Sequence, residues 1–172
     1  MKNQEIAKIF ENIASILEIK SLPGDRFRIR AYQNAAEVLR ELPMDIENIV
    51  MRGGLLDLPG IGKDLAAKIT EYIKTDHIHV YDQMSKEYPQ SLLDLLNIQS
   101  LGPKKIKLLH ETFAVNDLQS LEKVLKSGQA NILPKFGEKT IRNIFDGITL
   151  IKTTGDRALL GFIYPKVKNF VE

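Results

Sequence analysis

A chain of 172 residues with no cysteine can carry neither a disulfide frame nor a thiolate metal site, and 44% hydrophobic with 27% charged content is that of one domain, or two small ones, with a real core. No apolar run approaches membrane-span length and Met1-Lys2-Asn3-Gln4-Glu5 has no signal-peptide pattern, so no membrane partner and a cytoplasmic location are expected. Net charge is only +2 and unevenly spread, with 12 Lys+Arg against 14 Asp+Glu in residues 1–90 and 12 against 8 in residues 91–172, which excludes the strongly basic footprint of a high-affinity DNA-binding domain; any grip on nucleic acid is local, modest and salt-sensitive.

The periodicity predicts an all-α fold of two small helical subdomains. Ile6, Ile9, Phe10, Ile13, Ile16 and Leu17 recur at helical spacing over residues 4–18, with Asn3 as the expected N-cap. Leu22-Pro23-Gly24-Asp25 is a turn. The cluster after it interleaves Arg26, Arg28 and Arg30 with Phe27, Ile29 and Tyr32, and Ile29, Tyr32, Ala36 and Leu39 share a helical face to about Glu41. Aromatics among arginines suit stacking on a base and pairing with phosphates; the competing reading is a solvated helix start with Phe27 tucked into the core. Leu42-Pro43 breaks that helix, and Asp45 caps a short one over residues 46–51 that Gly53-Gly54 ends.

Leu58-Pro59-Gly60-Ile61-Gly62-Lys63 follows, and runs directly into a helix to about Lys74 with Leu65, Ile69, Tyr72 and Ile73 inward. Two glycines two apart permit a tight bend, and the amides at a helix start are unpaired and favoured by the dipole to meet an anion. Such a turn holds a phosphate without side chains; alternatively its glycines only permit close helix packing. The segment is no P-loop, because the first glycine is absent and Asp64 follows where that motif has Ser or Thr. Lys68 lies on the flank of the same helix's apolar face. Desolvation favours the neutral, nucleophilic form of an amine, whereas a snorkelling lysine keeps its charge in water.

Residues 76–88 form another helical segment ended by Pro89. His77 and His79 stand two apart, on different faces, which disfavours a metal pair. The theme then recurs. Leu92, Leu93, Leu95 and Leu96 lead to Ile98-Gln99-Ser100-Leu101-Gly102-Pro103-Lys104-Lys105 and a helix with Ile106, Leu109 and His110 to about Phe113. Asn116 or Asp117 starts the next helix, with Leu118, Leu121, Val124 and Leu125 inward and Gly128 at its end. A third turn, Leu133-Pro134-Lys135-Phe136-Gly137-Glu138-Lys139, opens a helix carrying Ile141, Ile144, Phe145 and Ile148. Ser100 and Lys135 stand where the second and third turns lack the earlier glycine, so the third reads as degenerate. The tail from Thr153 reads as a connection and a short final helix, with Leu159, Leu160, Phe162, Ile163, Val167 and Phe170 in want of a cover.

In order, Arg30-Ala31-Tyr32-Gln33-Asn34-Ala35-Ala36, the Leu58–Ile69 stretch, Leu101-Gly102-Pro103-Lys104-Lys105 and the Leu133–Thr140 stretch resemble family X DNA polymerases of the bacterial and archaeal branch. The resemblance covers nearly the whole chain. It implies a lyase-type domain over residues 1–88, a fingers-type domain over 89–150, and a linker and helix over 151–172 leading to a palm. It further implies DNA with gaps, nicks or recessed ends as partner, and a nucleoid-associated place. Gly60, Ile61, Gly62, Lys63 and Arg28, with Leu101, Gly102, Lys104 and Lys105, would contact DNA phosphate; Phe27 and Tyr32 would stack on bases. Na+ or K+ would be held by carbonyls near Leu58, Ile61, Ile98 and Leu101, with no tightly bound cofactor and Mg2+ only in a full-length polymerase. Lys68 falls on the position of the family's Schiff-base lysine for deoxyribose-phosphate removal. Asp64 stands where lyase-competent relatives have a basic residue, and Ala67 replaces an acidic one. The chain has no Asp-x-Asp pair to hold polymerase metals, so it is expected to bind DNA without polymerising it, as a truncated or stand-alone piece. The remaining alternatives are a deoxyribose-phosphate lyase acting through Lys68 and a helical interaction domain that binds no nucleic acid.

Overall fold

The structure, a computed structural model, describes the backbone of residues 2–168 and the side chains of residues 2–153. All regular structure among the described residues is helical, in two compact units, residues 1–93 and 94–172.

The first unit is organised on α1 (Lys2–Lys20), which packs along α2 (Asp25–Glu41). Ile6, Phe10, Ile13 and Leu17 of α1 are buried with Tyr32, Ala35, Ala36 and Leu39 of α2, and the small Ala7, Ala14, Ala35 and Ala36 fill the remaining core positions. Each large aliphatic side chain so buried contributes roughly 1.5–3 kcal/mol. Asn3 is not the N-cap expected of it. It lies inside α1, buried, where its amide donates to the Met44 carbonyl (2.9 Å) and its oxygen accepts the Ile46 N–H (2.9 Å). Asn3 thereby pins the turn between α2 and α3 (Ile46–Met51), whose N-cap is Asp45 as expected. A single 3-10 turn (Gly54–Asp57) leads to the first hairpin and α4 (Lys63–Thr75); α5 (His79–Glu87) and the short α6 (Gln90–Asp94) follow.

The second unit begins with a 3-10 turn (Leu95–Asn97), the second hairpin and α7 (Pro103–Phe113). Next comes α8 (Leu118–Lys126), opened by an Asp117–Ser120 capping box. A third 3-10 turn (Gln129–Ile132) and hairpin lead into α9 (Glu138–Lys168). Ile98, Leu101, Ile106, Leu109, Leu121, Leu125, Phe136, Ile144 and Ile148 are buried in this unit. The connection expected after Thr153 is instead a continuation of α9, whose backbone runs on through Gly155, Gly161 and Pro165. The apolar side chains expected to need a cover, from Leu159 to Phe170, lie outside the described side chains.

Candidate nucleic-acid interface

The three hairpins share one backbone. In the first, the Leu58 N–H donates to the Leu55 carbonyl (3.3 Å) and the Ile61 N–H to the Leu58 carbonyl (3.2 Å). The second repeats both bonds, Ile98 to Leu95 (3.0 Å) and Leu101 to Ile98 (3.1 Å). So does the third, Leu133 to Ala130 (3.0 Å) and Phe136 to Leu133 (3.3 Å). The residue before the central apolar one is left-handed every time: Gly60 at φ 76°, Ser100 at φ 70°, Lys135 at φ 69°. Ile61, Leu101 and Phe136 are buried pegs that seat each bend. The third hairpin is therefore degenerate in sequence only. The peg and the two hydrogen bonds fix the bend, and glycine merely lowers its strain, which for another residue is about 1–2 kcal/mol.

Gly62 and Gly102 are the extended N-caps of α4 and α7, without side-chain caps. Among the described residues no acceptor meets the N–H groups of Gly60, Gly62 and Lys63, or those of Gly102 and Lys104. Gly60, Gly62 and Gly102 are exposed, and a Cβ built on any of them meets nothing within 4 Å. Ile61 and Leu101 do not share this role: their amides are spent inside the turn and their side chains are buried.

The second group of candidates gathers on α2 and α4. Because α2 starts at Asp25, Arg26, Phe27, Arg28 and Arg30 all sit in its first two turns. Phe27 is 85% exposed, so the reading that tucks it into the core fails. Tyr32 is not available for stacking. It is 3% exposed, its ring edge-on to Phe10 at 5.4 Å, because it stands on the face of α2 that meets α1. Burial pushes its phenol up, with the Asp64 carboxylate adding to the effect and the Lys68 and Arg28 cations opposing it. Lys68, Asp64 and Arg28 thus lie near one hydroxyl. Each cation already has a counter-ion. Lys68 Nζ donates to Asp64 Oδ1 at 2.6 Å, and Arg28 Nη1 to Asp25 Oδ1 at 2.9 Å. The Lys68 side chain is only 16% exposed, whereas Asp64 is 79% exposed. Neither pair was read from the sequence, although the i,i+4 spacing of Asp64 and Lys68 is a signal for the first. Asp25 is buried with its other oxygen unpartnered.

Residues 1–78 match the family described as "Helix-hairpin-helix domain". The chain is also 29% identical over 163 residues, 94% of its length, to the DNA polymerase/3'-5' exonuclease PolX of Bacillus subtilis (strain 168). It spans 28% of that relative's length. The likeness to a portion of a family X polymerase, drawn above from four short motifs, extends over nearly the whole chain.

The carbonyls named for a monovalent cation lie at the first two hairpins. Leu58 accepts the Ile61 amide and keeps one lone pair; the Ile61 carbonyl accepts no hydrogen bond among the described residues. The second hairpin has the same pattern at Ile98 and Leu101, but with an addition that nothing in the spacing announced. Lys105 Nζ donates to the Ser100 carbonyl at 2.8 Å and lies 5.9 Å from the centre of the Phe136 ring. Lys105 is thus directed at its own hairpin, whereas Lys104 is exposed. No helix among the described residues is long and apolar enough to cross a membrane.

Proposed function

We propose that the chain holds DNA by its sugar-phosphate backbone, without reading sequence, at gaps or recessed ends. In this reading it is a non-polymerising arm of a family X repair polymerase whose palm is a further domain of a longer protein. The observation that carries this reading is the set of unpaired, exposed amides at Gly60, Gly62 and Lys63, repeated at Gly102 and Lys104. Amides aimed at a helix N-terminus bind phosphate oxygens through the dipole and hydrogen bonds together. Lys63, Lys104 and Arg28 add charge, Phe27 supplies a stacking face, and Na+ or K+ at the Leu58 and Ile61 carbonyls, or those of Ile98 and Leu101, would bridge the turn to a phosphate.

Titration against single-stranded, nicked and 5′-phosphorylated gapped duplexes at two salt concentrations tests the reading. Gapped DNA is expected to bind best, more weakly at the higher salt. Gly62→Val, which puts a branched side chain over the open amides, is expected to weaken binding with the fold intact. No binding to any duplex at low salt would instead favour a helical interaction domain with no nucleic-acid partner.

A second reading has one supporting observation, the gathering of Lys68, Tyr32 and Arg28: a deoxyribose-phosphate lyase acting through a Lys68 Schiff base. The Asp64 carboxylate on Lys68 Nζ at 2.6 Å counts against it, since it occupies the nitrogen that a Schiff base would need. Borohydride trapping on a 5′-incised abasic duplex decides; an adduct lost in Lys68→Ala establishes the lyase, and no adduct removes it.

A further inference from the structure

Lys105 stands at the third position of α7, where the dipole repels a cation. It reaches back across the turn to the carbonyl of Ser100, the one left-handed residue of the second hairpin. That same Ser100 is fixed from another side, its hydroxyl accepting from Asn143 Nδ2 at 3.2 Å. The Phe136 ring, the buried peg of the third hairpin, lies against the ammonium and adds a cation–π contribution. The corresponding position after the first hairpin is Leu65, buried and apolar, and after the third it is Thr140; neither can supply a cation. One turn of three therefore has a positive charge of its own on its carbonyl side. An alkyl ammonium resembles K+ in charge and in its liking for carbonyl oxygens.

We propose that Lys105 is the resident cation of the second hairpin, a positioning residue whose ammonium holds the Ser100 bend as a bound monovalent ion would. The second hairpin then keeps its form without added ion, while the first depends on what the solution offers. The role concerns the protein's own fold and stands apart from whether DNA is the partner.

The full chain is compared with Lys105→Gln by thermal unfolding in potassium chloride and in tetramethylammonium chloride at equal ionic strength, the second cation being too large to enter a turn. Lys105→Gln is expected to melt several degrees below wild type in tetramethylammonium, roughly the effect of losing one charged hydrogen bond in a unit of this size, and potassium is expected to close most of the gap. A gap of equal size in both salts, or no gap, overturns the proposal. So does a loss of DNA affinity in Lys105→Gln with no change in its ion response, because Lys105 would then be a phosphate contact. Should the variant fail to fold in either salt, amide exchange in the wild-type chain decides. Leu101 N–H protection is expected to be the same with and without potassium, and a protection that falls on its removal refutes the resident ammonium.

Discussion

Replacing Lys135 by glycine should stabilise the second unit. Lys135 is left-handed at φ 69°, exposed, and makes no hydrogen bond or ion pair among the described residues, so nothing but strain is lost with its side chain. A non-glycine residue in that region is strained by about 1–2 kcal/mol. Glycine gives back about 0.5–1 kcal/mol by loosening the unfolded chain. The net expectation is a gain of about 0.5–1 kcal/mol, or roughly 2–8 °C in melting temperature for a unit of this size. Urea and thermal unfolding followed by far-UV circular dichroism measure it. Ser100→Gly is the internal control: the same strain is relieved at φ 70°, but the Asn143 hydrogen bond to its hydroxyl is lost, worth about 0.5–1.5 kcal/mol, so that variant should gain little or lose. If Lys135→Gly were neutral or destabilising, the left-handed bend would not be the solution conformation of the third hairpin, and the equivalence of the three turns would fall with it.

Phe27→Ala should leave stability within about 0.5 kcal/mol, since the ring is 85% exposed, yet lower affinity for gapped DNA about tenfold, the value of one stacked base; an unchanged titration would remove Phe27 from the interface. Gly147→Ala should destabilise by about 1 kcal/mol. Its Cβ would lie 2.9 Å from the branch methyl of buried Ile98, an overpacking cost of roughly 1–3 kcal/mol that exceeds the gain of about 1 kcal/mol in helix propensity, and a raised melting temperature would show that α9 has room there. The Glu5 carboxylate, accepting the Tyr72 hydroxyl at 2.6 Å, pushes that phenol up to about 12, with burial adding to it. Because the folded value lies above the unfolded one, this contribution is full below pH ~10 and fades as pH rises towards 12. Tyr72→Phe should therefore lose stability at neutral pH and flatten the alkaline limb of the stability profile; an unchanged limb would refute the bond.

The helices and the places of the hairpins were legible because both depend on local period and on Gly or Pro punctuation. Ile61 and Leu101, assigned to phosphate contact, are instead buried, as is Phe136 in the same register. The assignments that failed are those where tertiary packing overruled a local cue. Asn3 looks like a cap because it is polar and precedes an apolar stripe, but the loop around Met44 comes back to it from far along the chain. Tyr32, set among arginines, looks like a stacking residue, but its place on the face shared with Ala36 and Leu39 commits it to the core. Phe27 belongs to the same cluster and escapes only because the helix begins four residues earlier than the apolar pattern does, which turns it to the opposite face. Glycine content misjudged the third turn for a different reason. Strain of about 1–2 kcal/mol is small beside burial of a phenylalanine peg, so Lys135 adopts a backbone that its residue type disfavours.

The three turns separate two properties that the double-glycine signature joins. Bend geometry is common to all of them and is set by a buried peg and two main-chain bonds. What differs is the chemistry around the bend. At the first, Lys63 is exposed beside two bare glycines, and Lys68 one turn on is already balanced by Asp64. At the second, Lys104 faces solvent while Lys105 turns inward. At the third, Lys135 and Lys139 are exposed but Glu138 stands in the first turn of α9, where its carboxylate takes up the favourable end of the dipole that a phosphate would use. An anion meeting these turns therefore finds the same amide geometry and unequal competition for it. Affinity should rank by how many of the local cations lack a carboxylate or carbonyl partner, rather than by how many glycines the turn contains.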